Sequence, residues 1–160
     1  MSIAFIALGA NLGEPATTLQ RALRELDRIP DTRVLQHSRL YRSRAVGPGN
    51  QPDYVNAVAQ VETSLPPHAL LDALLGIEAL HGRVRDGQRW GPRTLDLDLL
   101  IYADLQISDP RLTLPHPEMT HRNFVLVPLL EIDPELLIPG HGPARQALQS
   151  VGSEGLALCQ

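Results

Sequence analysis

Arg89-Trp90-Gly91-Pro92-Arg93-Thr94-Leu95-Asp96-Leu97-Asp98-Leu99-Leu100-Ile101-Tyr102 changes character halfway along. The first half is a Gly-Pro turn that carries two arginines and the chain's only tryptophan. The second half is an apolar run of the kind that forms a buried strand. Residues i and i+2 of a strand share a face, so Asp96 and Asp98 should project side by side, with Cα atoms roughly 6–7 Å apart. Paired carboxylates on a rigid strand suit hard divalent cations, and Mg²⁺ commonly shares its shell between one or two carboxylates and substrate phosphates. Arg83, Arg85, Arg89 and Arg93 lie just upstream. Their guanidinium forks match phosphate oxygens. The plainer alternative makes the acids solvated strand-end charges that the arginines neutralise. That alternative leaves the tryptophan among the arginines unexplained.

Around this strand the chain reads as α+β, in the order β-α-β-β-α-β. Ser2 to Leu8 is a buried first strand. After the Gly9–Gly13 turn, Pro15 suits a first helical turn, and Leu19, Ala22, Leu23 and Leu26 recur at helical spacing. Val34 to Tyr41 reads as a second strand. Positions 43–53 hold two prolines and two glycines without apolar periodicity and form a long loop. Tyr54 to Thr63 is a third strand, with Val55, Ala57, Ala59 and Val61 on one face and Asn56, Val58 and Gln60 on the other. A covered Asn56 would need polar partners, and its carboxamide can both donate and accept. The alternative is an edge-strand surface residue. A second helix opens at Leu65-Pro66-Pro67, buries Leu70, Leu74 and Ile77, and is capped by Gly82. Glu78 falls in its last turns, where the helix dipole disfavours an acid. Gly76 sits mid-helix without evident reason. Positions 83–93 form a second long loop. Short strand pieces at Leu105–Ile107 and Arg111–Leu114, an apolar run Val125–Leu130 and a short helix Ala144–Val151 complete the pattern. The architecture expected is a ferredoxin-like, mainly antiparallel sheet with helices on one face, and the site lies on the other face under the two long loops.

Composition narrows the function. The 160 residues, 43% apolar and 20% charged, fit one globular domain over 1–160. The net charge of −4 argues against a general nucleic-acid surface. All 14 basic residues are arginines, and a Walker A loop requires lysine, so a P-loop nucleotide hydrolase is excluded. No apolar run reaches transmembrane length, and a single cysteine, Cys159, permits no internal disulfide. Both point to a cytoplasmic protein with no membrane or nucleic-acid partner.

The stretch Arg89–Asp98 resembles the signature of the 6-hydroxymethyl-7,8-dihydropterin pyrophosphokinase family. Ala7-Leu8-Gly9-Ala10-Asn11-Leu12-Gly13, Gln51-Pro52-Asp53-Tyr54-Val55-Asn56-Ala57 and Leu114-Pro115-His116-Pro117 extend the resemblance, in the family's order, over nearly the whole chain. The resemblance implies transfer of the β,γ-diphosphate of ATP to the hydroxymethyl group of the reduced pterin, with release of AMP. It implies two Mg²⁺ ions on Asp96 and Asp98, with Arg83 and Arg93 stabilising charge on the transferring group. It carries Asn11, Ser43, Val46, Tyr54, Asn56 and Phe124 to the pterin. It carries Glu78 (in a supporting role), Arg85, Trp90, Leu99, Arg111, Thr113, His116 and Arg122 to ATP. A monomer acting on the two small molecules is the expected state. Leu75 and Pro117 depart from the family pattern, standing where some relatives have a polar residue and a tyrosine. Two other classes stay open: a metal-dependent phosphohydrolase, and a noncatalytic ligand-binding module. Whether ATP consumption requires the pterin separates them.

Overall fold

The structure, a computed structural model, describes residues 1–44, 52–82 and 95–159. In chain order its elements are β1 (Ser2–Ala10), α1 (Pro15–Leu26), β2 (Thr32–His37), β3 (Tyr41–Ser43), β4 (Tyr54–Thr63), α2 (Pro67–Gly82), β5 (Asp96–Tyr102), β6 (Ile107–Ser108) and β7 (Thr113–Leu114). A 3₁₀ turn (Met119–His121), α3 (Asn123–Ile132), β8 (Leu137–Ile138), β9 (Gly142–Pro143), α4 (Ala144–Val151) and β10 (Leu156–Leu158) follow. The main sheet runs β10-β3-β4-β1-β5, with β2 on the remaining length of β4. Its pairings are antiparallel. The units β1-α1-β2 and β4-α2-β5 are therefore the two split halves of the expected ferredoxin-like core.

Alternation along the strands sorts side chains between two cores. Ile6, Leu8, Ala57, Ala59, Leu97 and Leu99 face α1 and α2, meeting Leu19, Leu23, Leu26, Leu70, Leu74 and Ile77. These are the helical stripes read from spacing, and each fully buried leucine contributes about 1.5–3 kcal/mol. Phe5, Ala7, Val58, Leu100 and Ile101 face the other way, toward Val125, Leu126 and Leu129 of α3 and Ala144 of α4. The run Val125–Leu130 is thus a helix that covers part of the second face. Consecutive residues Leu100 and Ile101 share that face because the β1–β5 register slips between Phe5 and Ile6, an extra residue of the bulge kind.

One strand expectation is corrected. Val34–Tyr41 is not continuous: β2 ends at His37, and β3 begins at Tyr41. Ser38 sits at the break. Its amide donates to Val58 O at 2.8 Å, and its Oγ accepts from Val58 N at 3.0 Å. A hydroxyl thus takes over one rung of the ladder, and the chain restarts as β3 along the Tyr54–Asn56 end of β4. α1 ends at Leu26, four residues before Pro30, with Asp27 as its C-cap. α2 runs through Gly82 itself.

Candidate active site

The site stands on two cross-strand rows. β1 pairs Gly9 with Asn56 on β4 and with Asp96 on β5. It pairs Ala7 with Val58 and Asp98. Residues directly opposite in an antiparallel sheet project to one face, so Asn56 and the two aspartates share the sheet's second face. Two inter-strand spacings, about 10 Å in all, separate Asn56 from Asp96. Gly9 fills the gap without a side chain, and Ala7 adds only a methyl. The floor between the carboxamide and the acids is therefore open. α3 covers the far end of the same face, leaving a cavity of about 330 Å³ lined by Ala7, Leu8, Gly9, Ser43, Arg44, Tyr54, Asn56, Asp96, Asp98, Arg122, Phe124 and Val125.

Its polar end is β5. Asp96 is exposed at the start of the strand, and Asp98 is partly exposed. Asp98 stands 3.8 Å from Arg122 Nη1 and 3.9 Å from His116 Nε2. The amide of Glu118 donates to His116 Nδ1 at 3.1 Å. Nδ1 must then accept, so in the neutral ring Nε2 carries the proton and faces Asp98. Burial pushes the His116 pKa below the usual histidine range, against the pull of Asp98 and with the push of Arg122. Arg122 also lies over Phe124, 5.8 Å from the ring centroid, within cation–π range.

The opposite end suits a flat heterocycle. Tyr54 and Phe124 present aromatic surface to the cavity. Asn56 is buried, 4% exposed, and its Nδ2 donates to Ser43 Oγ at 2.8 Å and Tyr41 O at 3.4 Å. With its hydrogens committed, Asn56 turns Oδ1 toward Gly9. It therefore offers the cavity an acceptor, where the sequence reading expected a donor and an acceptor together.

Two carboxylates on this face, next to an apolar slot and two arginines, are a donor set that suits a phosphoryl-transfer enzyme. The chain belongs to the 7,8-dihydro-6-hydroxymethylpterin-pyrophosphokinase (HPPK) family, whose model matches residues 5–134. It is 50% identical over 87% of its length to the 2-amino-4-hydroxy-6-hydroxymethyldihydropteridine pyrophosphokinase of Haemophilus influenzae, covering 86% of that protein. It is 46% identical over 95% of its length to the Pseudomonas aeruginosa enzyme of the same name, covering 93% of it. The fold is shared with a crystal structure of HPPK-DHPS in complex with substrates, at a TM-score of 0.71 and 14% identity. That match covers 93% of this chain and 43% of the longer one.

The expected site residues divide into three groups. Ser43, Tyr54, Asn56, Asp96, Asp98, Arg122 and Phe124 line one cavity, with His116 against Asp98. Val46, Arg83, Arg85, Trp90 and Arg93 lie outside the described residues. The others stand apart from the cavity. Asn11 donates to Pro52 O at 3.3 Å, bridging the two motifs that flank the pocket. Arg111, on the connection between β6 and β7, pairs with Asp72 of α2, and Thr113 is exposed on β7. Leu99 is 3% exposed in the helix-side core, so only its backbone can meet a ligand. Glu78, 7% exposed, accepts the amide hydrogen of Leu97 at 2.7 Å. It braces the strand between the two aspartates, buried rather than solvated. Arg44 is a cavity residue that sequence reading passed over. The available signal was an arginine immediately after Ser43, where a strand enters a long loop.

Proposed function

We propose that this chain transfers the β,γ-diphosphate of ATP to the hydroxymethyl group of 6-hydroxymethyl-7,8-dihydropterin, giving the pterin diphosphate and AMP for folate biosynthesis. The observation that carries the reading is the shared row Asn56–Gly9–Asp96, which joins a heterocycle slot to a carboxylate pair across a floor without side chains. Tyr54 and Phe124 stack on the pterin, a contact worth about 0.5–1.5 kcal/mol beyond area burial, and Asn56 Oδ1 accepts one of its N–H groups. The hydroxymethyl oxygen then points along the row toward β5.

Among the described residues no cluster of three or more His, Cys, Asp or Glu could cage a metal. A pair of carboxylates at the cavity's polar end is a donor set that Mg²⁺ can complete with phosphate oxygens and water. Asp96 and Asp98 would hold two Mg²⁺ ions, which would supply positive charge to the triphosphate and lower the pKa of the attacking hydroxyl. The hydroxymethyl oxygen bonds to the β-phosphorus as the bond from that phosphorus to the α,β-bridging oxygen breaks, and its proton leaves to solvent. His116 Nε2 and Arg122 donate to phosphate oxygens next to Asp98. Arg83 and Arg93 neutralise the transferring group, and Arg85, Trp90 and Arg111 grip the nucleotide. The working unit we propose is a monomer in the cytoplasm, where ATP is available. No helix among the described residues is long and apolar enough to cross a membrane.

The test is AMP formation from Mg-ATP with and without 6-hydroxymethyl-7,8-dihydropterin. The expected result is pterin-dependent AMP, with the diphosphate recovered on the pterin. AMP or ADP formed equally well without pterin would show a hydrolase instead.

A further inference from the structure

The segment after α4 reaches both walls of the cavity without entering it. Its start is tied to α3. The side-chain amide of Asn123 donates to Gly152 O and to Glu154 O, each at 3.0 Å. Both of its hydrogens are then used to hold two carbonyls of the departing chain. Asn123 is the first residue of α3, between Arg122 and Phe124, both of which line the cavity. Gly152 and Gly155, at φ of 78° and 79°, take the positive-φ backbone that glycine accommodates between α4 and β10.

Its end is tied to β3. Leu156, Ala157 and Leu158 pair with Ser43, Arg42 and Tyr41, and Cys159 N donates to Leu40 O at 2.9 Å. β3 is only three residues long and leads directly into positions 45–51. Without β10 its backbone would pair with β4 alone, while its Tyr41 hydroxyl would still reach Glu131 of α3. Ser43 is the β3 residue that lines the cavity and receives the Asn56 amide hydrogen. Antiparallel rungs alternate between hydrogen-bonded and non-bonded pairs. The Cys159–Leu40 bond therefore makes Ala157–Arg42 the next bonded rung and leaves the amides of Leu156 and Leu158 facing away from β3.

We infer that residues 152–159 form a strap that sets the width of the pterin slot, by fixing the Ser43 wall relative to the Phe124 wall. The inference rests on the proposed function for the identity of the slot's ligand. The strap touches neither reacting group nor nucleotide, so Asn123 and β10 are positioning elements. Their loss moves pterin recognition more than ATP recognition.

The experiment compares Asn123→Ala, Ala157→Pro and Leu158→Pro in the full chain. Ala157→Pro removes a ladder bond; Leu158→Pro places the same ring where the amide faces outward, which an edge strand tolerates. Asn123→Ala and Ala157→Pro should raise KM for the pterin about tenfold, equivalent to about 1.4 kcal/mol, with KM for ATP within about twofold. Leu158→Pro should leave both constants near wild type. Amide hydrogen exchange at residues 41–44 and 122–125 should speed up in the first two variants only. Asn123→Ala carries the test alone if Ala157→Pro does not fold. Unchanged exchange at both walls overturns the strap whatever the kinetics. A uniform loss of thermal stability with unchanged pterin KM reduces it to ordinary structure. Wild-type protein lacking pterin-dependent AMP overturns the functional reading instead, and the exchange experiment still decides the strap.

Discussion

The carboxylate of Glu78 accepts the main-chain hydrogen of Leu97 at 2.7 Å. Leu97 lies between Asp96 and Asp98, so a helix side chain braces the strand at the point where the two acids leave it. A carboxylate accepting a backbone N–H is charge-assisted and stronger than a neutral pair. Glu78→Ala strands a buried donor, which costs about 1–3 kcal/mol. It should lower the unfolding free energy by that amount and weaken Mg²⁺-dependent turnover as well. Glu78→Gln keeps an acceptor and should recover most of both. Chemical denaturation and a Mg²⁺ titration of activity check this, and equal damage from the two substitutions would sink it.

Asp96 and Asp98 contribute little to packing, since one is exposed and the other partly so. Asp96→Ala or Asp98→Ala should change stability by no more than about 0.5 kcal/mol, the ordinary range for surface substitutions. Several kcal/mol of metal-based stabilisation should be lost from the transition state, a fall of roughly 10³-fold or more in turnover. Near-normal Mg²⁺-dependent activity in both variants would overturn the site.

A methyl group at position 9 separates pocket from fold. A Cβ built on Gly9 lies 3.5 Å from Asn56 Oδ1, an ordinary contact that asks for no backbone change. Gly9→Ala should therefore leave the melting temperature within about 2 °C of wild type. The methyl intrudes on the floor proposed for the heterocycle, and KM for the pterin should rise by about tenfold. Steady-state kinetics with pterin varied at saturating ATP provide the check.

Glu131 of α3 accepts from the Tyr41 hydroxyl and from Arg39 N at 2.9 Å, and its carboxylate meets the Arg39 guanidinium at 3.4 Å. Burial pushes its pKa up, but these donors outweigh burial and hold it below the usual carboxylate range. A carboxyl whose folded pKa is depressed stabilises the fold at pH above its unfolded pKa of about 4.3. That contribution disappears as pH falls through the lower folded value. The stability difference between wild type and Glu131→Gln should be constant near neutrality, under about 1 kcal/mol because the paired Arg39 side chain is 66% exposed. It should shrink below about pH 4, where the unfolded chain takes up the proton first. A difference that grows with acidity would contradict the assignment.

Gly76 sits inside α2, and an added Cβ would meet nothing within 4 Å. Gly76→Ala should stabilise the protein by about 0.5–1 kcal/mol. The melting temperature should rise by about 1–4 °C. A calorimetric scan decides it. An unchanged or lower value would point to a constraint on α2 that the helix surface does not show.

The apolar periods were legible in the sequence because each is local. Leu19–Leu26 and Leu70–Ile77 repeat at the helical spacing, the alternation of β4 sorts its two faces, and Asp96 and Asp98 share a side by strand geometry alone. The break at Ser38 was not legible, because the polar run Gln36–Arg39 fits a surface-facing strand as well as a break, and the break itself is fixed by Ser38 bonding to distant Val58. Leu99 and Glu78 belong to the same lesson. Their sequence positions say they are near the site, but burial decides that one meets a ligand only through its backbone and that the other serves the strand.

By itself the sequence determined the β-α-β-β-α-β order, the paired acids on one strand face and the resemblance to a pyrophosphokinase family. Those properties depend on residues a few positions apart, on composition and on motif order. Tertiary structure alone decided that Asn56 and Asp96 stand on one row across Gly9. It also decided that Arg44 and Phe124 close the same cavity and that the segment after α4 grips both of its walls. Such relations arise when strands distant in the chain hydrogen-bond in a particular register, and no local pattern encodes which distant residue will lie opposite.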